Sequence, residues 1–196
     1  MNLKKKIFYW SPFLVRIATP RAVINSAYSL IKFSEDYDCS IINFFGEFDK
    51  YQNDIKQKKI KLINYSKFRI SKILPSEGKI QSRFSFLVMF CLGFFPLKKL
   101  ISERKPDYIV IHLITSLPLI LLMFFYFNDV LKSKIESEII YLIDDITSEL
   151  DQESLEIVLQ EALALNSQLL ITAIEGKNTE NFGPFLDNFR QLNLSK

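Results

Sequence analysis

The sequence predicts an α/β fold: a Rossmann-like parallel sheet with flanking helices, followed by a C-terminal βαβ unit. Three observations carry this expectation. Short apolar runs of strand length recur along the chain, they alternate with segments of helical period, and Pro, Gly, Asn or Asp punctuates their ends. Several of the runs are continuous rather than alternating, as strands buried on both faces of a parallel sheet require.

The elements follow in order. Ile7-Phe8-Tyr9-Trp10 reads as a first buried strand, closed by Ser11-Pro12. Thr19-Pro20 opens a helix, with Thr as cap and Pro at the first helical position, and Ala22, Val23, Ser26, Ala27, Leu30 and Phe33 recur at helical spacing. Residues 39–45 (CSIINFF) form a second strand closed by Gly46, and residues 59–64 (KIKLIN) a third, alternating one nearer an edge. The apolar stretch 82–101 has the length of a buried helix, or of a helix pair broken at Pro96. Pro106-Asp107 introduces a fourth strand over 108–112, and Ser116-Leu117-Pro118 opens another helix. Residues 139–143 (IIYLI) make a further strand. Asp151 caps a helix, with Ser154 three positions on and an apolar face of Leu155, Val158, Leu159, Ala162 and Leu163. Residues 168–174 (QLLITAI) complete the βαβ unit as another buried strand.

Composition bounds the class. The chain has 196 residues, is 48% hydrophobic, and contains 18 Phe and 8 Tyr but only 5 Gly and 7 Pro, which excludes a disordered or collagen-like polymer. Its two cysteines, Cys39 and Cys91, lie in apolar runs without metal-ligand spacing and read as buried free thiols of a cytoplasmic protein. The net charge of +3 hides a reversal: residues 1–130 carry 20 Lys and Arg against 10 Asp and Glu, while residues 131–196 carry 5 against 12. A net of +10 thus gives way to −7, and a Lys- and Phe-rich texture gives way to one rich in Glu, Leu and Asp. Two units are expected, 1–130 and 131–196. The uncharged stretch 108–127 has the length of a membrane span, yet His112, Thr115, Ser116 and Pro118 interrupt it where a strand would turn into a helix, so a buried strand-turn-helix is expected.

Lys5-Lys6-Ile7-Phe8-Tyr9-Trp10-Ser11-Pro12, the helix segment Ala22-Val23-Ile24-Asn25-Ser26-Ala27 and the strand Arg104-Lys105-Pro106-Asp107-Tyr108-Ile109-Val110-Ile111-His112 occur in that order. In this layout residues 5–127 resemble the N-terminal, acceptor-side domain of family-four glycosyltransferases, which have two Rossmann-like domains facing a cleft (the GT-B fold). Ligands of open α/β sheets sit at the C-terminal ends of strands, which places Ser11, Phe13, Gly46 and His112 on one rim. The resemblance implies that His112 touches the sugar acceptor or the transferred sugar, beside the alternative that it ends a strand and bonds locally. Gly46-Glu47-Phe48-Asp49 is expected to be a turn with two solvated carboxylates, beside the alternative that it lines the same cleft. The family's first loop is usually glycine-rich; here residues 11–19 hold no Gly, with Arg16 and Arg21 left to supply cations. The nucleotide-sugar-binding second domain has no counterpart after residue 130, so independent catalysis is not expected.

The second motif is Ile140-Tyr141-Leu142-Ile143-Asp144-Asp145-Ile146-Thr147-Ser148-Glu149-Leu150-Asp151. An apolar run ending in an acidic pair has the form of a Walker B strand, whose first carboxylate holds Mg²⁺ and whose second positions the attacking water. With Asn166-Ser167-Gln168-Leu169-Leu170-Ile171-Thr172-Ala173-Ile174 beyond it, residues 139–190 resemble the C-terminal end of the RecF family of DNA-repair ATPases. The resemblance implies a Mg²⁺ carboxylate at Asp144, a catalytic-base position at Asp145 and a dimer-contact D-loop at Ser148, Glu149, Leu150 and Asp151, beside the reading that the acidic pair ends a strand and Asp151 caps a helix. None of the five glycines begins the G-x-x-x-x-G-K-[ST] loop that cradles ATP phosphates.

Three functional readings follow. One is a truncated glycosyltransferase-type acceptor domain, binding a sugar or lipid-linked acceptor in cell-envelope assembly and peripheral on the inner face of the membrane. Another is a RecF-related protein acting on DNA, and the third an inactive fusion remnant. A nucleotide-sugar or Mg-ATP would be a cofactor only with the missing halves supplied in trans.

Overall fold

The computed structural model describes residues 4–11, 19–66, 69–75, 79–113, 138–143, 150–165, 167–172 and 182. Their strands are β1 (Lys5–Trp10), β2 (Tyr37–Asn43), β3 (Lys61–Asn64), β4 (Tyr108–Leu113), β5 (Glu138–Ile143) and β6 (Gln168–Ile171). The α-helices are α1 (Thr19–Phe33), α2 (Gln52–Gln57), α3 (Lys79–Arg104) and α4 (Gln152–Ala164). All pairings are parallel, and the six strands form one sheet in the order β3-β2-β1-β4-β5-β6. The expected Rossmann-like α/β architecture is therefore present.

Period-two alternation sorts the strand residues between two cores. Ile7 and Tyr9 of β1, Cys39 and Ile41 of β2 and Val110 of β4 pack with Val23, Ile24 and Ala27 of α1 and Ile55 of α2. Phe8, Trp10, Ile42, Ile109, Ile111, Ile139, Tyr141 and Ile143 face the other way, onto Met89, Phe90, Phe94 and Leu97 of α3 and Leu155, Val158, Leu159 and Ala162 of α4. Strands from both the basic and the acidic stretch share that second core. β4 and β5 pair along their whole length, from Tyr108 opposite Glu138 to Leu113 opposite Ile143. The charge reversal near residue 130 lies outside the described residues, as does the helix expected from Ser116.

Several boundaries differ from expectation for physical reasons. α3 is one helix with Pro96 inside it, not a pair broken there. The carbonyl that Pro96 leaves without its helical donor belongs to Leu92, on the exposed side of the helix, where water can satisfy it. β2 stops at Asn43, two residues short of the end of its apolar run, and a short α2 intervenes before β3. β6 spans four residues and is half-exposed rather than buried, because it is an edge of the sheet. Leu163 lies on the exposed side of α4, outside the apolar face expected to include it. Cys39 is buried as expected, whereas Cys91 is exposed on α3. Asp151 does cap α4, its Oδ1 accepting the Ser154 N–H at 2.8 Å. Tyr108–Leu113 is β-strand, and among the described residues no helix is long and apolar enough to cross a membrane.

α3 approaches the sheet most closely at Gly93, where a Cβ would stand 2.9 Å from the Trp10 ring and 3.6 Å from both Phe44 and Phe45. Replacing a helical Gly with Ala ordinarily stabilises by about 1 kcal/mol. At Gly93 the buried indole cannot retreat, so overpacking of about 1–3 kcal/mol outweighs that gain. Gly93→Ala is therefore expected to destabilise the protein in urea denaturation followed by fluorescence of its single tryptophan.

Candidate functional site

The strand order reverses direction between β1 and β4: the chain builds leftward from β1 to β3, then crosses over through α3 to β4. Parallel sheets open a crevice beyond the C-terminal strand ends at such a switch point, because successive connections leave on opposite faces. Trp10 pairs with Ile111, so Ser11 and His112 come next on the adjoining strands, on the face that carries α1. Both are buried, and Ser11 Oγ donates to the backbone carbonyl of His112 at 3.3 Å. That bond ties the two strand ends together. It leaves Ser11 as a strand clamp rather than a nucleophile paired with the imidazole.

Beside the switch point, the end of β2 is organised by Asn43, which is fully buried. Its Nδ2 donates to Asn64 Oδ1 at the end of β3 (2.7 Å) and to Asp49 Oδ1 (3.0 Å), while its Oδ1 accepts the Phe48 N–H (3.1 Å). Asp49 in turn pairs with Arg69 Nε at 2.9 Å. The loop bends back at Gly46, whose φ of 92° lies in the region that favours glycine. This turn was expected to hold two solvated carboxylates; instead Glu47 is buried at 8% exposure. Its Oε2 accepts the Phe45 N–H at 2.8 Å. Burial pushes its pKa up to about 7, against the opposing hydrogen bonds from the backbone of Phe45, Glu47 and Gly46.

Of the residues singled out in the sequence, Ser11, Gly46 and His112 thus share the C-terminal rim, at or just beyond the ends of β1, β2 and β4. Phe13, Arg16, Asp144, Asp145, Ser148 and Glu149 lie outside the described residues. Leu150 packs partly buried against the core under α3 and α4, and Asp151 is engaged as the α4 cap. Among the described residues no cluster of His, Cys, Asp and Glu has the arrangement of a metal site. Asn43 and the burial of Glu47 escaped the sequence reading. The available signal was a polar residue inside an apolar strand run, since a buried Asn must find partners for both its amide and its carbonyl.

No family model matches the chain, and no curated protein matches it in sequence.

The Glu47 carboxyl makes a pH prediction. Its raised pKa means that the folded state keeps the proton to higher pH than the unfolded chain does. The corresponding stability is present in full below the ordinary carboxyl value and is lost as pH rises from about 4.5 to about 7. A shift of that size corresponds to about 3 kcal/mol. Urea denaturation across that pH range should show a falling stability for the native sequence and a much flatter profile for Glu47→Gln.

Proposed function

We propose that this chain is a glycosyltransferase-like acceptor-side domain, which binds a sugar or lipid-linked sugar acceptor at the switch point between β1 and β4 and lacks independent catalysis. The observation that supports it best is positional. The strand order puts the sheet's switch point, where open α/β sheets bind their ligands, at the β1/β4 junction, and His112, to which the resemblance gives the acceptor contact, stands there beside Ser11. His112 offers an imidazole suited to accepting from or donating to a sugar hydroxyl. The Asn43-centred network holds the neighbouring β2 loop as a fixed wall.

In the glycosyltransferases that the chain resembles, the diphosphate of the nucleotide-sugar is held by the second domain, so in this reading transfer draws on such a domain supplied in trans. In this reading the RecF-like tail serves as sheet, contributing β5, α4 and β6. A lipid-linked acceptor would bring the domain to the inner face of the membrane as a peripheral protein.

Calorimetry on the full chain tests the proposal. A water-soluble short-chain acceptor should bind saturably, and His112→Gln should weaken it about tenfold, equivalent to about 1.4 kcal/mol. Saturable binding of Mg-ATP or of gapped DNA with no response to sugar acceptors would overturn the proposal in favour of the RecF-related reading.

A further inference from the structure

α3 departs from the usual pattern of a surface helix, which is apolar on one side only. Its inner side is buried through Met89, Phe90, Gly93, Phe94, Leu97, Leu100 and Ile101. Its outer side, opposite these, carries Phe84, Val88, Cys91, Leu92 and Phe95 at helical spacing. Phe84 is 61% exposed, Leu92 47% and Phe95 74%, and Cys91 is exposed with them. The stripe occupies the part of α3 that faces the C-terminal rim. Gly93 lies against Trp10 at the end of β1, and Ser85 Oγ donates to the Pro75 carbonyl at 2.8 Å. Ile73, in the segment leading into α3, adds an apolar side chain that is 81% exposed.

Basic residues flank this stretch of the helix in sequence and none falls within it. Residues 65–99 contain seven Lys and Arg against one Glu. Lys72 is exposed before the helix, and Lys99 is 66% exposed beyond the stripe, only loosely approached by Glu103 at 3.9 Å. The helix between Phe84 and Leu97 carries no charge, a length of about 20 Å. We propose that the outer face of α3 docks on an anionic lipid surface, with Phe84, Leu92 and Phe95 entering the interface and flanking cations, Lys72 and Lys99 among them, meeting the headgroups.

The arrangement favours lipid over the other occupants of an apolar face. A second copy seated on this face about a two-fold axis would bring one positive surface against another, which opposes association. A nucleic-acid strand needs cations tracking its phosphates along the contact, and the uncharged stretch is too long for that. A bilayer interface takes an apolar strip in its upper acyl region and cations at its headgroups, and binding scales with both.

The test is co-sedimentation of the full chain with phosphatidylcholine vesicles, with and without phosphatidylglycerol. The wild type should bind the anionic vesicles and be released by salt. The Phe84→Gln/Phe95→Gln variant should lose binding about tenfold or more, since two exposed aromatic rings no longer enter the interface. Lys72→Gln/Lys99→Gln should lose about fivefold per cation on anionic vesicles, with little change on neutral ones. All four positions are exposed, and circular dichroism checks that each variant remains folded. No binding to anionic vesicles, or undiminished binding by the aromatic variant, would overturn the proposal. So would a concentration-dependent dimer abolished by that variant, or oligonucleotide binding abolished by the lysine variant. Calorimetric binding of a water-soluble acceptor is unaffected by any of these results, so failure of the docking surface and failure of the acceptor site are read separately.

Discussion

The pairing of β1 with β4 is the constraint from which the remaining architecture follows. It joins segments about a hundred residues apart, with Ile7 opposite Tyr108 and Trp10 opposite Ile111. Once it forms, β2 and β3 can extend the sheet only on one side and β5 and β6 only on the other. Helices leave on both faces, and the switch point at the junction is a consequence of that divergence rather than a separate feature. The ends of the joint are tied by three polar contacts. Ser11 Oγ reaches the His112 carbonyl at one end, and at the other Asp107 Oδ2 accepts the Lys6 N–H at 2.7 Å. Asp107 N–H also donates to the Lys6 carbonyl at 2.9 Å, so the entrance to β4 is locked to β1 before the strand begins.

The strands of this fold were legible because a parallel sheet buries both faces. Continuous apolar runs at Ile7-Phe8-Tyr9-Trp10 and at residues 139–143 have few other uses in a chain with polar segments between them. What escaped detection was decided by tertiary contacts. Phe44 and Phe45 extend the apolar run of β2, but the side chain of Asn43 holds Asp49 and the Phe48 N–H and turns the backbone into a loop. Pro96 carries a strong breaker signal locally, yet burial of Phe94, Leu97 and Leu100 on the sheet keeps α3 continuous across it. Glu47 looks like an ordinary turn carboxylate in sequence; only the folded loop shows it shielded from solvent and held by backbone N–H groups. The places of Ser11 and His112 at the ends of β1 and β4 were legible because each closes a continuous apolar run.

The acidic C-terminal stretch and the basic N-terminal one differ in charge, yet they meet in a single sheet. The core under α3 and α4 takes Phe8 and Trp10 from one and Tyr141, Leu155 and Leu159 from the other. β5 is paired on both sides, by β4 and by β6, so its backbone groups are satisfied within the sheet and its apolar residues are covered on the α4 face. Whatever the origins of the two stretches, the second supplies what the first lacks as a sheet: without β5, β4 would present an open edge.

Native-state hydrogen exchange on the intact chain tests this account most directly. If β4 and β5 are neighbouring strands of one sheet, the amides of Ile109, Ile111, Ile139 and Tyr141 should exchange together with those of β1, through the same global opening. Rapid exchange of the β5 amides while β1 and β2 remain protected would contradict it, showing that the acidic stretch is not part of the sheet.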